Sequence, residues 1–205
     1  MKRKDPRALI SEASSALDVP LSSSKADSLL EYTELLRSRA IPLGLIGQRD
    51  QGRILVRHVL DSLRGATAVV PTDRWAYDLG SGAGLPGIPV AIACPSLRVA
   101  LVESRRTRAA FLELAVAELG LSNAEVRWGR VEEQADLVDV CFARAFAPLA
   151  RTWGAARPLL VTGGRLVHFT GGSSRELRAL AGAGSMELRS VPLLDSMGAL
   201  AIITR

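Results

Sequence analysis

Along the first third of the chain, apolar positions recur three and four residues apart; beyond residue 73 they come in short runs. Residues 7–64 therefore read as helices. Leu29, Leu30, Tyr32, Leu35 and Leu36 fall on one helical face, with Ser22 or Ser23 as N-cap. Pro42, Gly44 and Gly47 interrupt the pattern over 40–50, and a second amphipathic helix is predicted over 51–64 through Ile54, Leu55, Val59, Leu60 and Leu63. On that helix His58 and Asp61, three apart, are neighbours. From residue 74 the runs predict strands at 74–79, 97–102, 124–128, 137–142, 163–169, 186–192 and 198–204. Helices are expected between them at 86–94, 105–119, 146–158 and 173–182, with Phe111, Leu112, Ala115, Val116 and Leu119 on the inward face of the second. Alternating strands and helices imply a parallel sheet covered on both faces. The final two strands have no long helix between them, so they should form a hairpin with one antiparallel strand.

Composition narrows the class. The 205 residues, 48% hydrophobic and 23% charged, suit one globular unit. It divides into a helical extension at 1–66 packed on a main domain at 67–205. The net charge of +5 makes a polyanionic partner plausible. Most basic residues are arginine, which forks onto phosphate, although a general arginine bias in composition would give the same count. Cys94 and Cys141 show no metal-ligand spacing, and no metal site is expected. No run approaches the ~18 apolar residues of a membrane span, and no apolar segment follows the charged start, so a cytoplasmic protein without membrane attachment is expected.

The chemistry concentrates at Asp78-Leu79-Gly80-Ser81-Gly82-Ala83-Gly84-Leu85-Pro86-Gly87. The string follows one apolar run and precedes another, which makes it a strand, a tight turn and a helix start. Glycines there admit positive φ and close approach of a ligand to the backbone, and the helix start offers unpaired N–H groups. Gly82, Gly84 and Gly87 satisfy a literal G-x-G-x-x-G, so a nicotinamide dinucleotide is one candidate ligand. Asp78 argues against pyrophosphate. A carboxylate at the strand tip suits a ligand with positive charge, such as a sulfonium amino acid joined to adenosine. Ser81 and the amides of Gly82 and Gly84 would face its methionine part, with Leu85 as an apolar wall. Other polar residues also fall at strand ends, where parallel sheets bind ligands. Glu103 can accept both ribose hydroxyls, or else cap the following helix. Val131 and Glu132 follow the third strand, where an adenine edge would lie. Arg144 ends the fourth, positioned for a ligand carboxylate, a substrate phosphate or a salt bridge.

The string D-L-G-S-G-A-G-L-P-G resembles that of the RsmG/GidB family. Leu55-Val56-Arg57-His58-Val59-Leu60-Asp61-Ser62, Arg130-Val131-Glu132-Glu133 and Arg144-Ala145-Phe146-Ala147 follow in the family's order. The likeness covers roughly residues 28–205. It implies a class I (Rossmann-like) S-adenosylmethionine-dependent methyltransferase of the α/β class, with a seven-stranded, mostly parallel sheet and a small helical N-terminal extension. The implied activity is methylation of a guanine N7 in small-subunit ribosomal RNA. Asp78, Gly80, Ser81, Gly82, Gly84, Leu85, Glu103, Val131, Glu132 and Arg144 are then the cofactor-site residues. Arg57, His58 and Arg144 line the substrate cleft with Asp61, though His58 and Asp61 would also serve as a purely local pair. The partner is small-subunit ribosomal RNA or the small ribosomal subunit, bound by a monomer. The chain departs from the family at 41–47, where a Trp-Asn and Asn-Leu-Thr pattern is usual. Thr170 stands at a position where lysine is common, and Ala143 where serine is usual. All three lie on the side expected to meet substrate.

Guanine N7 carries a lone pair and no proton, so attack on a sulfonium methyl needs no general base, and no essential catalytic side chain is expected. Ala143-Arg144-Ala145-Phe146 replaces the Asn/Asp-Pro-Pro-aromatic string of amino-nitrogen methylation, and neither cysteine is a credible nucleophile for ring-carbon chemistry; Cys141 reads as core. Arg49, Arg53, Arg57, Arg127, Arg130, Arg144 and Arg151 are candidates for RNA phosphates. Aromatic content of 4% disfavours an extended stacking platform. Two other readings remain open in sequence: a nicotinamide-dependent oxidoreductase, and a non-catalytic or retargeted RNA-binding homologue.

Overall fold

The computed structural model describes residues 5–171, 180–190 and 198–205. Helix α1 (Pro6–Leu17) begins with proline in its first turn, and α2 (Ser23–Leu35) is capped by Ser22, whose hydroxyl accepts from the Lys25 amide at 3.3 Å. A wide π-helical turn, Leu36–Ala40, ends α2. The amphipathic α-helix expected over 51–64 is instead a helical path of changing pitch. A 3₁₀ stretch (Gln48–Arg53) leads into a π-helical one (Leu55–Leu60), a single turn α3 (Asp61–Leu63) and a second 3₁₀ stretch (Arg64–Ala68). Apolar periodicity marks the buried face correctly but does not encode the pitch.

The remaining elements alternate as expected: β1 (Trp75–Leu79), α4 (Gly87–Ala93), β2 (Arg98–Glu103), α5 (Arg106–Glu118), β3 (Ala124–Trp128), β4 (Val138–Arg144), α6 (Leu149–Ala156), β5 (Leu160–Phe169), β6 (Ser185–Arg189) and β7 (Leu200–Thr204). The helix expected over 173–182 falls mostly outside the described residues. Strand order is β3-β2-β1-β4-β5-β7-β6. Pairing is parallel from β3 to β5, and β7 runs antiparallel to both β5 and β6.

The two faces of the sheet are covered unequally. One packs Val99, Leu101, Val140, Phe142, Val167 and Ile202 against α4, α5 and the N-terminal helices, through Ile10, Leu29, Tyr32 and Leu60. The other packs Tyr77, Leu79, Cys141, Leu166 and Ile203 against Leu149, Trp153 and Ala156 of α6. The helices before residue 67 thus share one apolar core with the sheet. Arg64 is 1% exposed within it and donates to Asp61 Oδ1 and the Gly198 carbonyl, each at 2.7 Å. Strand order reverses between β1 and β4, which places the crevice of a doubly wound sheet at their carboxyl ends.

Candidate active site

The loop between β1 and α4 is built around two buried carboxylates. Asp78 is 0% exposed, and its Oδ2 accepts from the Gly87 amide at 3.0 Å. Gly87 has to be glycine: a Cβ there would lie 2.3 Å from Leu101 and 2.6 Å from Asp78 Oδ2. Glu103, at the tip of β2, accepts from the Gly82 amide at 3.0 Å and the Arg105 amide at 2.8 Å. It therefore braces the glycine loop and Arg105, the residue before α5, together. Ser81 donates its hydroxyl to the Asp78 carbonyl, and its own carbonyl accepts from Gly84 N at 2.7 Å and Leu85 N at 3.1 Å. Gly80, Gly82 and Gly84 all take positive φ. Beside Gly82 space is open, since an added Cβ would find only the Gly80 carbonyl oxygen, at 3.9 Å.

Asp78 Oδ1 has no hydrogen-bond partner although it is fully buried. Burial pushes this carboxyl up to about 7 against the pull of the nearby Ser81 hydroxyl and the Gly87 amide. A buried acid with one satisfied and one bare oxygen at a strand tip is a place prepared for a donor or a cation. On the other side of Gly80, and not reaching Asp78, a cavity of about 160 Å³ is lined by Gly80, Ser104, Val131, Glu132, Phe146 and Arg151. Val131 is buried and Glu132 exposed in the short 3₁₀ turn Val131–Glu133 after β3. Phe146 stands where a Gly80 side chain would go, 2.6 Å from the Cβ position, and follows Ala145, whose φ is +54°.

Arg144 and the 48–64 segment form a second cluster. The Arg144 guanidinium donates to the Arg57 carbonyl at 3.0 Å, the His58 carbonyl at 3.1 Å and Ser62 Oγ at 2.9 Å. Its Nη2 is also 3.2 Å from His58 Nδ1 and 3.7 Å from Asp61 Oδ2. The π-helical stretch thus hands backbone carbonyls to a planar five-donor side chain. The expected His58–Asp61 neighbour pair does not form, because the wide turn takes the two side chains off a common face. His58 Nε2 lies 3.2 Å from Asp50 Oδ2, and Asp61 pairs with Arg64. Burial, then the Arg144 charge, lowers the His58 pKa and keeps the ring neutral. Arg57 reaches Asp50 at 3.4 Å.

Among the arginines proposed for RNA, Arg127 is engaged at the sheet edge, donating to Tyr77 Oη at 2.7 Å, Glu125 at 2.8 Å and Asp136 at 2.6 Å. Arg49, Arg53, Arg130 and Arg151 are exposed. Thr170 bonds both backbone groups of Ala199 through its hydroxyl. Cys141 is fully buried and its thiol pKa is pushed up, in keeping with a core residue. Sequence reasoning missed two aromatic residues. Trp128 is 58% exposed with Arg106 stacked 4.8 Å from its ring centre. Tyr32, fully buried, donates its hydroxyl to the Ala83 carbonyl of the glycine loop at 2.6 Å. A tyrosine on the buried face of a helix carries no signal that separates it from core.

The chain is 40% identical over 176 residues to "Ribosomal RNA small subunit methyltransferase G" of Ralstonia nicotianae, covering 82% of this chain and 79% of that one. It is 41% identical over 179 residues to the protein of that name from Kineococcus radiotolerans, covering 85% and 70%. A solved S-adenosylmethionine-dependent methyltransferase from Aquifex aeolicus superposes with a TM-score of 0.57 at 13% identity, over 80% of this chain and 97% of that one, a likeness of fold. The sequence profile described as "GidB: rRNA small subunit methyltransferase G" matches residues 25–195, a span holding the glycine loop, Glu103 and Arg144, and the chain belongs to that family.

Proposed function

We infer that this protein transfers a methyl group from S-adenosylmethionine to N7 of a guanine in small-subunit ribosomal RNA. The observation that carries the reading is the family match across residues 25–195, joined to a strand-tip acid that keeps one buried oxygen unpaired beside an open glycine loop. The family match sets aside the nicotinamide reading of the same loop. A sulfonium amino acid fits the residues present: Asp78 for its positive charge, Gly80, Ser81, Gly82, Gly84 and Leu85 for the methionine part, Glu103 for the ribose, Val131 and Glu132 for the base. When bound, this cofactor supplies an electrophilic methyl.

The rest falls to the chain's own residues. Guanine N7 has no proton to lose, which agrees with the way the titratable groups are committed. Glu103 braces loop amides, and burial with the Arg144 charge lowers the His58 pKa against the pull of Asp50. Catalysis is then positioning, which can supply up to roughly 7–11 kcal/mol when the reacting atoms are held aligned. Arg144 borders the site and holds the Arg57–Ser62 wall of the cleft against the end of β4. Residues 1–66 act as the helical extension that makes this wall, and 67–205 as the methyltransferase domain. Exposed Arg49, Arg53, Arg130 and Arg151 supply phosphate contacts, and a base is received by unstacking. On this reading the enzyme works as a monomer in the cytoplasm, on ribosomal RNA or the small subunit.

The test is methyl transfer from labelled S-adenosylmethionine to small subunits and to naked small-subunit RNA from cells lacking the protein, with the labelled base mapped. Label at a single guanine N7 is the expected result. Label at another atom would overturn the target, and cofactor binding without label on either substrate would favour a retargeted or non-catalytic homologue.

A further inference from the structure

The glycine loop is tied to the sheet and to itself: the Ser81 amide donates to the Val102 carbonyl at 3.0 Å, Gly82 to Glu103, Gly84 and Leu85 to the Ser81 carbonyl, and Gly87 to Asp78, while the Ala83 carbonyl is held from the N-terminal helices. The Ala83–Gly84 peptide is fixed at both ends: Gly84 N–H donates to the Ser81 carbonyl at 2.7 Å, and the Ala83 carbonyl accepts the Tyr32 hydroxyl at 2.6 Å. This peptide needs fixing more than most. Gly82 and Gly84 have φ of +60° and +91°, and a glycine-flanked peptide has many alternative orientations. A Cβ at position 84 would lie 2.5 Å from Ile88 and 3.0 Å from the Tyr32 oxygen, so Ile88 first and the phenol second keep this position glycine.

Tyr32 is itself well anchored. It sits in α2, whose first turn is tied to the far end of α4 by Lys25 Nζ donating to the Ala93 carbonyl at 2.7 Å. Helix α2 therefore contacts α4 at its end and the loop before its start, like a splint. Burial, with the charge of Asp78 adding to it, raises the Tyr32 pKa well above the ordinary value, so the hydroxyl remains a donor throughout the working pH range.

We propose that Tyr32 is a positioning residue for the cofactor: its hydroxyl locks the Ala83–Gly84 peptide in the orientation the loop needs to receive S-adenosylmethionine. The N-terminal helical segment is then part of the cofactor site as well as of the substrate cleft. This role rests on the methyltransferase reading above. It differs from general stability because the hydroxyl acts on one peptide of the loop and on no reacting atom.

The experiment compares Tyr32→Phe with Thr33→Val. Thr33 lies beside Tyr32 on α2, is 4% exposed, and donates its hydroxyl to the Leu29 carbonyl at 2.7 Å, so its loss removes a buried hydroxyl bond without touching the loop. Wild-type protein is first titrated with S-adenosylmethionine by calorimetry, and absence of binding there would overturn the functional reading before any variant is made. Tyr32→Phe should weaken cofactor binding by up to about tenfold. The KM for S-adenosylmethionine should rise in step, while kcat at saturating cofactor and the KM for RNA stay at the wild-type value. Thr33→Val should lose comparable stability to urea and keep wild-type cofactor affinity. Unchanged affinity in Tyr32→Phe, or equal weakening in both variants, would overturn the proposal. So would a Tyr32→Phe chain that fails to fold, since the hydroxyl would then be a general stability element.

Discussion

Two loops leave the carboxyl edge of the sheet from neighbouring strands, and they are held in opposite ways. The loop after β1 is short, glycine-rich and braced by acids at strand tips, with most of its bonds closing within the motif or to Glu103 on the adjacent strand. The stretch after β4 has an alanine in a left-handed conformation and an aromatic ring against Gly80. Its anchor is Arg144, whose partners Arg57, His58 and Ser62 lie more than 80 residues earlier in the chain. One loop is specified by its own spacing and the other by the completed fold. The first suits a cofactor of constant shape, and the second suits a cleft that must match a particular RNA.

The comparison breaks most sharply at Gly87. Gly87→Ala drives a methyl into Leu101 and Asp78, and should lower kcat/KM on the order of a hundredfold, with loss of cofactor affinity seen by calorimetry. Next comes Arg144→Ala, which leaves the Arg57 and His58 carbonyls without their donor. Activity on RNA should fall between about tenfold and a hundredfold, limited proteolysis within residues 48–60 should speed up, and Arg144→Lys should not rescue either, because an ammonium cannot span those carbonyls. A loss of cofactor affinity in Arg144→Ala as steep as that of Gly87→Ala would show that the two loops are one device.

The pH dependence of the first loop has a definite sign. Burial raises Asp78 from 3.8 to about 7, so the folded protein without cofactor gains stability from this group at low pH and loses it as pH climbs toward and through 7. A cationic ligand requires the ionised form, so its affinity should run the other way, weakening up to about tenfold per unit below pH 7 and levelling above it. Calorimetry from pH 5.5 to 8 checks this, and Asp78→Asn should flatten the profile. The smallest effects belong to the rim. Arg130→Ala and Arg151→Ala should each weaken RNA binding a few-fold and reduce the salt slope by about one, with cofactor affinity unchanged.

The same contrast explains what the sequence discloses. The glycine string, Asp78 and Glu103 act within one strand–turn–helix unit and its neighbour, so residue types at fixed offsets announce them. The strands and the antiparallel placement of β7 are equally legible, because apolar runs record burial directly and the stretch between the last two runs is too short in sequence for a crossover helix. The 51–64 segment is not. Its apolar positions mark a buried face, but they do not encode its pitch, and its carbonyls bond Arg144, 86 positions beyond His58. Tyr32 is hidden for a related reason, its partner being a backbone carbonyl 51 positions away. Arg127 illustrates the converse: an arginine that composition offers to RNA is spent on Tyr77, Glu125 and Asp136.

Strand β7 lies between β5 and β6 although it follows both in the chain. During synthesis, β6 therefore emerges before the strand that will attach it, and Arg165–Phe169 of β5 stands as a bare sheet margin until residues 200–204 arrive. An unpaired margin of that length, carrying Leu166 and Val167, invites pairing with another nascent chain. Chaperone dependence and yield on expression should thus be governed by how quickly the stretch from 190 to 204 is delivered, and slow codons there should cost more folded protein than slow codons elsewhere.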